Sequence, residues 1–354
     1  MIKYVTGNLL EADVEALVNS VNTVGVMGKG VALQFRQAFP ENYEAYRRAC
    51  SLKQVEPGKM FVFRTGQLTN PRYIINFPTK RHWKGNSRMG DIEAGLPELV
   101  RVVRDLGIRS LAVPPLGCGS GGLEWSEIKP RIDAALAPLT GVSVLVYEPL
   151  GAPAPERMRV ATKRPAMTRG RAALLGVLET YALPGYRLSM LEIQKLAYFL
   201  QEAGEPLKLK FVKGQYGPYS DALHHVFQRI EGHFVRGYGD RSRGASVRVL
   251  PEAVNEAADR LQTYADTRER LERVKQLIEG FETPYAIELL SSVHWLAKHD
   301  DPRARSDSGE AVKGIQAWNA HKEQLFEPKH IETAWSHLRR CGWLDDSATA
   351  IAER

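Results

Sequence analysis

Along the first 150 residues, short apolar runs alternate with stretches in which apolar positions recur every three or four residues. The runs at 2–6, 16–19, 60–64, 73–77, 111–114 and 142–147 have the length and β-branched or aromatic content of strands. Between them Ile92, Leu96, Leu99, Val100 and Val103 keep helical spacing, as do Ile128, Ile132, Ala135 and Leu139, and 30–39 reads as a further helix. Apolar strands separated by amphipathic helices predict an α/β layered domain with a largely parallel sheet. In such sheets ligands gather at the carboxyl ends of the strands.

From 149 to 169 the pattern stops. Pro149, Pro153, Pro155 and Pro165 interleave with Arg157, Arg159, Lys163, Arg164 and Arg169, the composition of a semi-stiff basic linker. It reads either as a solvated tether or as an arm against a nucleic-acid backbone. The remainder is mostly helical in pattern. Ser189 followed by Glu192 is a capping box, opening an amphipathic helix through Leu196, Phe199 and Leu200. Pro251 begins one long helical stretch containing Val254, Leu261, Leu271, Val274 and Ile278, and further helices are expected at 284–298, 310–316 and 330–340. Tyr198, Phe199, Phe227, Trp295 and Trp318 read as core. The expected division is 1–150, a linker at 151–170, and 171–354.

At 354 residues the chain has room for two sizeable cores. Three cysteines without CxxC spacing argue against a disulfide scaffold or structural zinc and suit a reducing cytoplasm. The start lacks the basic and apolar blocks of a signal peptide, and no apolar run reaches the ~18–20 residues of a membrane span. No His, Asp or Glu cluster has convincing metal-ligand spacing, so no metal is expected. The net charge of +7 divides unevenly, with +4 on 1–150, +4 on 151–170 and −1 on the rest. A near-neutral C-terminal part favours a protein partner over nucleic acid.

Candidate chemistry concentrates in two glycine-rich loops. One follows the 16–19 strand and runs through Asn22, Gly25, Gly28, Lys29, Gly30, Val31 and Ala32. The other follows the 111–114 strand as Gly117, Cys118, Gly119, Ser120, Gly121, Gly122 and Leu123. Such density lets backbone N–H groups approach a ligand closely. The first loop opens a helix, whose N-terminus favours phosphate. Neither loop fits the dinucleotide fingerprint or the P-loop. Together they make a crevice suited to a diphosphate with sugars at either end.

The string Thr6, Gly7, Asn8, Leu9, the strand ending Asn19, Ser20, Val21, Asn22, and the run from Met27 to Phe35 resemble a macrodomain over about residues 1–150. The second loop and the 142–147 strand fit the same pattern. Within the superfamily the chain is most similar to the branch that removes ADP-ribose. The block Asn76, Phe77, Pro78, Thr79, Lys80, Arg81, His82, Trp83 narrows the resemblance to the DarG family of antitoxins. In that family a partner DarT toxin attaches ADP-ribose to thymine in single-stranded DNA, and the macrodomain removes it.

The resemblance implies an α/β macrodomain, a mixed and largely parallel sheet between helices, and the pattern beyond it adds a mainly helical α+β C-terminal domain. The resemblance also implies a metal-independent N-glycosidic hydrolase without a cofactor, with ADP-ribose as ligand and product. Carried over by position, Asn8 and Leu9 lie at the adenine, where many macrodomains place an aspartate at the Asn8 position. Asn22 meets the distal ribose, and Thr79 and both loops line the ligand. Tyr147 is a candidate to stack on adenine. Lys80 matches the catalytic lysine, and His82 and Trp83 are candidates to grip the base or its DNA neighbours. Gly121 stands where eukaryotic members carry an aspartate. That leaves open whether Lys80 attacks the ribose C1 or assists the leaving base, with His82, Asp91 and Glu124 as nearby helpers. Cys118 has no base partner and reads as structural.

Residues 194–200 and 215–220 weakly resemble antitoxin domains of the SocA/Panacea type, so the expected partner of the C-terminal part is the toxin. Other readings stay open: a non-catalytic ADP-ribose reader, a hydrolase of protein-linked ADP-ribose or O-acetyl-ADP-ribose, and a promoter-binding autoregulator.

Overall fold

The computed structural model of the chain describes residues 1–149, 154, 157–182, 185–239 and 246–345. The polypeptide passes from one compact unit to a second between Lys163 and Arg164.

The first unit is built on strands β1 (Ile2–Val5), β2 (Ala16–Asn22), β3 (Phe61–Arg64), β4 (Tyr73–Lys80), β5 (Ser110–Val113) and β6 (Ser143–Tyr147). Their order in the sheet is β1-β6-β5-β2-β4-β3, and only the β3–β4 pair is antiparallel. Each expected strand is present. Two run further than their apolar pattern: β2 continues to Asn22 and β4 to Lys80, because they pair with each other from Ala16–Tyr73 to Asn22–Lys80.

Successive strand residues face opposite sides. Val18, Ile75, Phe77 and Val113 pack with Ile92, Leu96, Leu99 and Val103 of α3 (Met89–Asp105) and Ile128 and Ile132 of α4 (Trp125–Leu136). Leu17, Ile74 and Ala112 pack instead with Phe35 and Ala38 of α1 (Gly30–Ala38). The sheet is thus a layer between helices. Helix α2 (Pro40–Ser51), not expected from the pattern, starts with Pro40 at its first position and buries Tyr46, Ala49 and Cys50.

Packing of α3 on the sheet is tightest at Gly95, where an added Cβ would sit 2.3 Å from Phe77 Cζ. Gly95→Ala is therefore expected to destabilise the unit by about 1–3 kcal/mol, despite alanine's better helix propensity. A lowered urea midpoint at unchanged slope would register it; an unchanged midpoint would mean that Phe77 repacks freely.

In the second unit α5 (Arg169–Tyr181), α6 (Met190–Glu202), α7 (Asp221–Ile230), α8 (Pro251–Gln262), α9 (Ala265–Ile278), α10 (Pro284–Trp295), α11 (Ser308–Gln316), α12 (Ala320–Leu325) and α13 (Pro328–Arg340) carry the core. Short strands β7 (Leu188–Ser189), β10 (Val235–Arg236) and β11 (Ser246–Val249) form one small sheet, and β8 (Val212–Gly214) with β9 (Gly217–Tyr219) a hairpin. The capping box is formed: Glu192 N donates to Ser189 Oγ, and Ser189 N donates to Glu192 Oε2 at 2.7 Å. The long stretch from Pro251 is instead two helices broken at Thr263 and Tyr264. Leu261 and Val274 lie in the same core from either side of the break, so the apolar periodicity does not reveal it. Tyr198, Phe199 and Phe227 are fully buried, whereas Trp318 is only partly so.

The segment expected as a linker is not a free tether where it is described. Ala161 N donates to Gln37 O at 2.8 Å, Arg157 O accepts from Asn8 Nδ2 at 3.3 Å, Arg159 lies over Phe39, and Met158 is buried. Arg169 already belongs to α5 and pairs with Glu205 and Asp266. Pro153 and Pro155 lie outside the described residues. Among the described residues no helix is long and apolar enough to cross a membrane.

Candidate functional site

The carboxyl ends of the parallel strands hold nearly every residue singled out in the sequence. Asn8 opens a short 310 turn after β1, the first glycine loop follows β2, Lys80 ends β4, the second loop follows β5, and Tyr147 ends β6.

In the first loop Lys29 precedes α1 without capping it through its side chain, which leaves the opening amides of the helix available to an anion. Gly30 is in the left-handed region with open space around it. Asn22 shapes this loop rather than standing free. Its Oδ1 accepts from Val24 N at 3.0 Å and Val26 N at 3.3 Å, its Nδ2 donates to Val26 O, and Tyr46 donates to its backbone carbonyl at 2.6 Å.

The second loop is a tight 310 turn. Its bonding uses the N–H groups of Cys118, Gly121, Gly122 and Leu123, so the amides of Gly119 and Ser120, which open the turn, are left over from it. Gly117, Gly119 and Gly122 all have φ between +65° and +76°. At Gly117 a Cβ would also strike Leu123. The Cys118 thiol is pushed up to about 11 by burial and the nearby Glu124 carboxylate. It is a thiol at neutral pH, in line with a structural part.

Lys80 follows an apolar run and Pro78 and so reads as a rim-loop residue, but it is the last residue of β4, because β4 stays paired with β2 up to Asn22. Its ammonium donates to the Ser120 carbonyl of the second loop. Burial lowers its pKa from the ordinary lysine value, and repulsion from Lys29 lowers it further. Two cations thus converge where the glycine loops meet.

The other candidates sort by burial. Leu9, Val31 and Tyr147 share one apolar cluster near Asn8, whose carboxamide caps its own turn. Leu9 and Thr79 are buried, and Thr79 Oγ1 points to Val21 O at 3.4 Å. Ala32 packs toward Tyr46, and Gly28 lies against Val26. On the loop after Lys80, His82 stacks on Trp83 at 5.6 Å, Lys84 Nζ lies 5.0 Å from the Trp83 ring, and Trp83 is 47% exposed. Asp91 is committed to Arg81, with contacts of 3.0 and 3.2 Å.

Ser87 escaped the sequence reading. Its N–H donates to Gly121 O at 2.9 Å, and its hydroxyl is buried without a hydrogen-bond partner among the described residues. A Cβ on Gly121 would lie 2.5 Å from Ser87 Oγ and 3.8 Å from Lys80 Cε. The space that a side chain at position 121 would need is therefore filled by Ser87. No group of three or more His, Cys, Asp or Glu among the described residues could hold a metal.

Comparison with known proteins agrees with this architecture. Residues 18–132 match the Macro domain family. The DNA ADP-ribosyl glycohydrolase of Thermus aquaticus is 49% identical over 344 residues, 97% of this chain and 94% of that protein. The Mycobacterium tuberculosis protein of the same name is 42% identical over 360 residues, 96% and 99% of the two chains. A DNA ADP-ribosyl transferase–DNA ADP-ribosyl glycohydrolase fusion from Thermosipho africanus is 38% identical over 164 residues, 42% of each chain.

Proposed function

Since the chain belongs to the DNA ADP-ribosyl glycohydrolase (DarG) family, we propose that it removes ADP-ribose from thymine bases of single-stranded DNA, with Lys80 as its catalytic residue. The observation that carries this reading is the Lys80 amine, half-buried at the end of β4 and resting on the second glycine loop.

In this proposal the diphosphate takes the amides of Gly30, Val31 and Ala32 at α1 and of Gly119 and Ser120 in the second loop, with Gly28, Gly117, Cys118, Gly122 and Leu123 shaping the two cradles. Lys29 and Lys80 supply the field that draws the anion in. Adenine lies toward Asn8, Leu9 and Tyr147. Asn22 and Thr79 hold the distal ribose end in shape from below, since the Asn22 carboxamide is engaged with its own loop. No cofactor or metal takes part.

The bond to be broken joins ribose C1 to a thymine nitrogen. As it lengthens, positive charge grows on the ribose and negative charge on the base, so a cation beside the base stabilises the transition state more than the ground state. Lys80 supplies that cation and a proton for the departing thymine. Water adds to C1 and releases a proton, so the ends of the reaction are free ADP-ribose and unmodified DNA. With Gly121 and the Ser87 hydroxyl where a carboxylate would sit, the leaving-group route is favoured over a lysyl adduct. Trp83 and His82 offer stacking faces to the base or its neighbours.

Release of ADP-ribose from thymidine-ADP-ribosylated single-stranded DNA, with chelator present, tests the reading. ADP-ribose binding without release would make the protein a reader. Faster release from ADP-ribosylated protein than from DNA would reassign the substrate.

The second unit is assigned in the same proposal to binding and silencing the cognate transferase. Support for a transferase partner comes from the transferase–glycohydrolase fusion in Thermosipho africanus, and for the second unit as its site from the near-neutral charge of 171–354. Residues 171–354 are expected to co-elute with that transferase in gel filtration; separate elution would refute the two-function reading.

A further inference from the structure

We propose that a pocket beside Lys80 is a subsite for the nucleotide adjoining the ADP-ribosylated thymidine, an inference that rests on the DNA reading above. The pocket is a solvent-open cleft of about 590 Å³, within the roughly 300–1,000 Å³ of small-molecule sites. Its lining includes Thr23, Lys53, Val55, Arg81, Asp91 and Ala94.

Position is the first argument. Thr23 follows Asn22 and Arg81 follows Lys80, and Thr23 Oγ1 donates to Arg81 O at 2.7 Å, tying the two strand ends together. Lys80, the last residue of β4, reaches Ser120, while Arg81, in the bend that follows, bonds Asp91 on α3. The pocket lies on the Arg81 side, one residue beyond the amine that faces the scissile bond. With ADP-ribose filling the crevice, the DNA chain attached to the thymine leaves past Lys80, and this pocket is the cavity it meets.

Chemistry is the second argument. Asp91 accepts from Arg81 Nε and Nη2, which fixes the guanidinium plane and leaves the Nη1 hydrogens for a base edge or phosphate. Val55 and Ala94 add apolar surface for a base face. Lys53 stands at the end of α2 with φ +57°, in the left-handed region where glycine is usual. For a lysine that conformation costs about 1–2 kcal/mol. Folding alone would favour glycine there, and Lys53 is one of the residues that line the pocket. Lys53 and Arg81 are balanced by Glu56 and Asp91 in the lining, so the match is to the base of a nucleotide, with a fixed guanidinium for its edge and an apolar wall for its face.

The test compares two substrates, ADP-ribosylated thymidine and an ADP-ribosylated single-stranded oligonucleotide, in the full-length protein. The wild type is expected to hydrolyse the oligonucleotide with kcat/KM at least about tenfold above that of the nucleoside. Ala94→Phe, a substitution at an exposed helix position that fills the pocket, and Lys53→Gly, which relaxes the backbone while removing the ammonium, should each erase most of that advantage. Both should leave the nucleoside reaction within about twofold. Lys53→Gly should melt no lower than wild type, so misfolding cannot explain its loss. Equal kcat/KM for the two substrates in the wild type, or equal losses on both in the variants, would overturn the subsite while leaving the DNA reading intact. Hydrolysis of neither substrate by the wild type would overturn the reading and the subsite together.

Discussion

Lys80→Ala is expected to lose about 10²–10⁴-fold in turnover on ADP-ribosylated DNA, the range of a positioned proton donor. Its affinity for ADP-ribose should stay within about tenfold, roughly 1.4 kcal/mol. The split follows from geometry. The amides that would hold the diphosphate belong to the two loops, whereas the Lys80 amine touches the second loop only through the Ser120 carbonyl. Truncating it leaves no buried acid unpaired, so the fold should be unchanged.

The pH profile carries the sharper information. Burial and Lys29 lower the pKa of Lys80 from 10.5, because both disfavour the charged amine. If the protonated amine assists the leaving thymine, turnover is sustained at lower pH and falls as pH rises through that lowered pKa. The limb should lie below the pH at which free lysine titrates, and it should vanish from the residual rate of Lys80→Ala. A rate that rises with pH through the same limb would mean that the neutral amine attacks C1. Unchanged turnover in Lys80→Ala would remove Lys80 from the mechanism.

Much of this was legible in the chain because the information is local. Apolar runs marked the strands, and glycine density marked both loops. What the pattern could not carry was pairing across distance. Lys80 reads as a loop residue after Pro78, yet β2 holds it in the sheet through the Asn22–Lys80 pair. Ser87 gave no signal, since its importance is its place against Gly121, 34 residues later. The basic segment looked free because Gln37 and Phe39, which it packs on, lie more than a hundred residues earlier. In the second unit the two stretches at 194–200 and 215–220 proved to be one physical piece. Gln194 bonds both the N–H and the C=O of Ser220 at 2.9 Å, and buried Lys195 donates to Pro218 O at 2.8 Å. Desolvation holds that Lys195 amine down at about 7.

A glutamate at Gly119 is expected to end ADP-ribose binding. Gly119 opens the 310 turn with φ +65°, and a Cβ there would meet no heavy atom within 4 Å. Two effects act at this position and can be separated. Backbone strain in the left-handed region costs about 1–2 kcal/mol for any other residue, and Gly119→Ala isolates it. Gly119→Glu adds a carboxylate beside the ligand's diphosphate, where like charges cost several kcal/mol. Calorimetric titration with ADP-ribose should therefore find Ala within about tenfold of wild type and Glu weaker by at least about a hundredfold. Because the extra loss is electrostatic, added salt should recover part of it in the Glu variant and none in the Ala variant. Retained affinity in Gly119→Glu would move the diphosphate off the second loop and leave it to the α1 N-terminus. Gly121 cannot serve for this experiment. There a new Cβ would collide with Ser87 Oγ before any charge reached the ligand, so a loss of binding would report packing rather than the site.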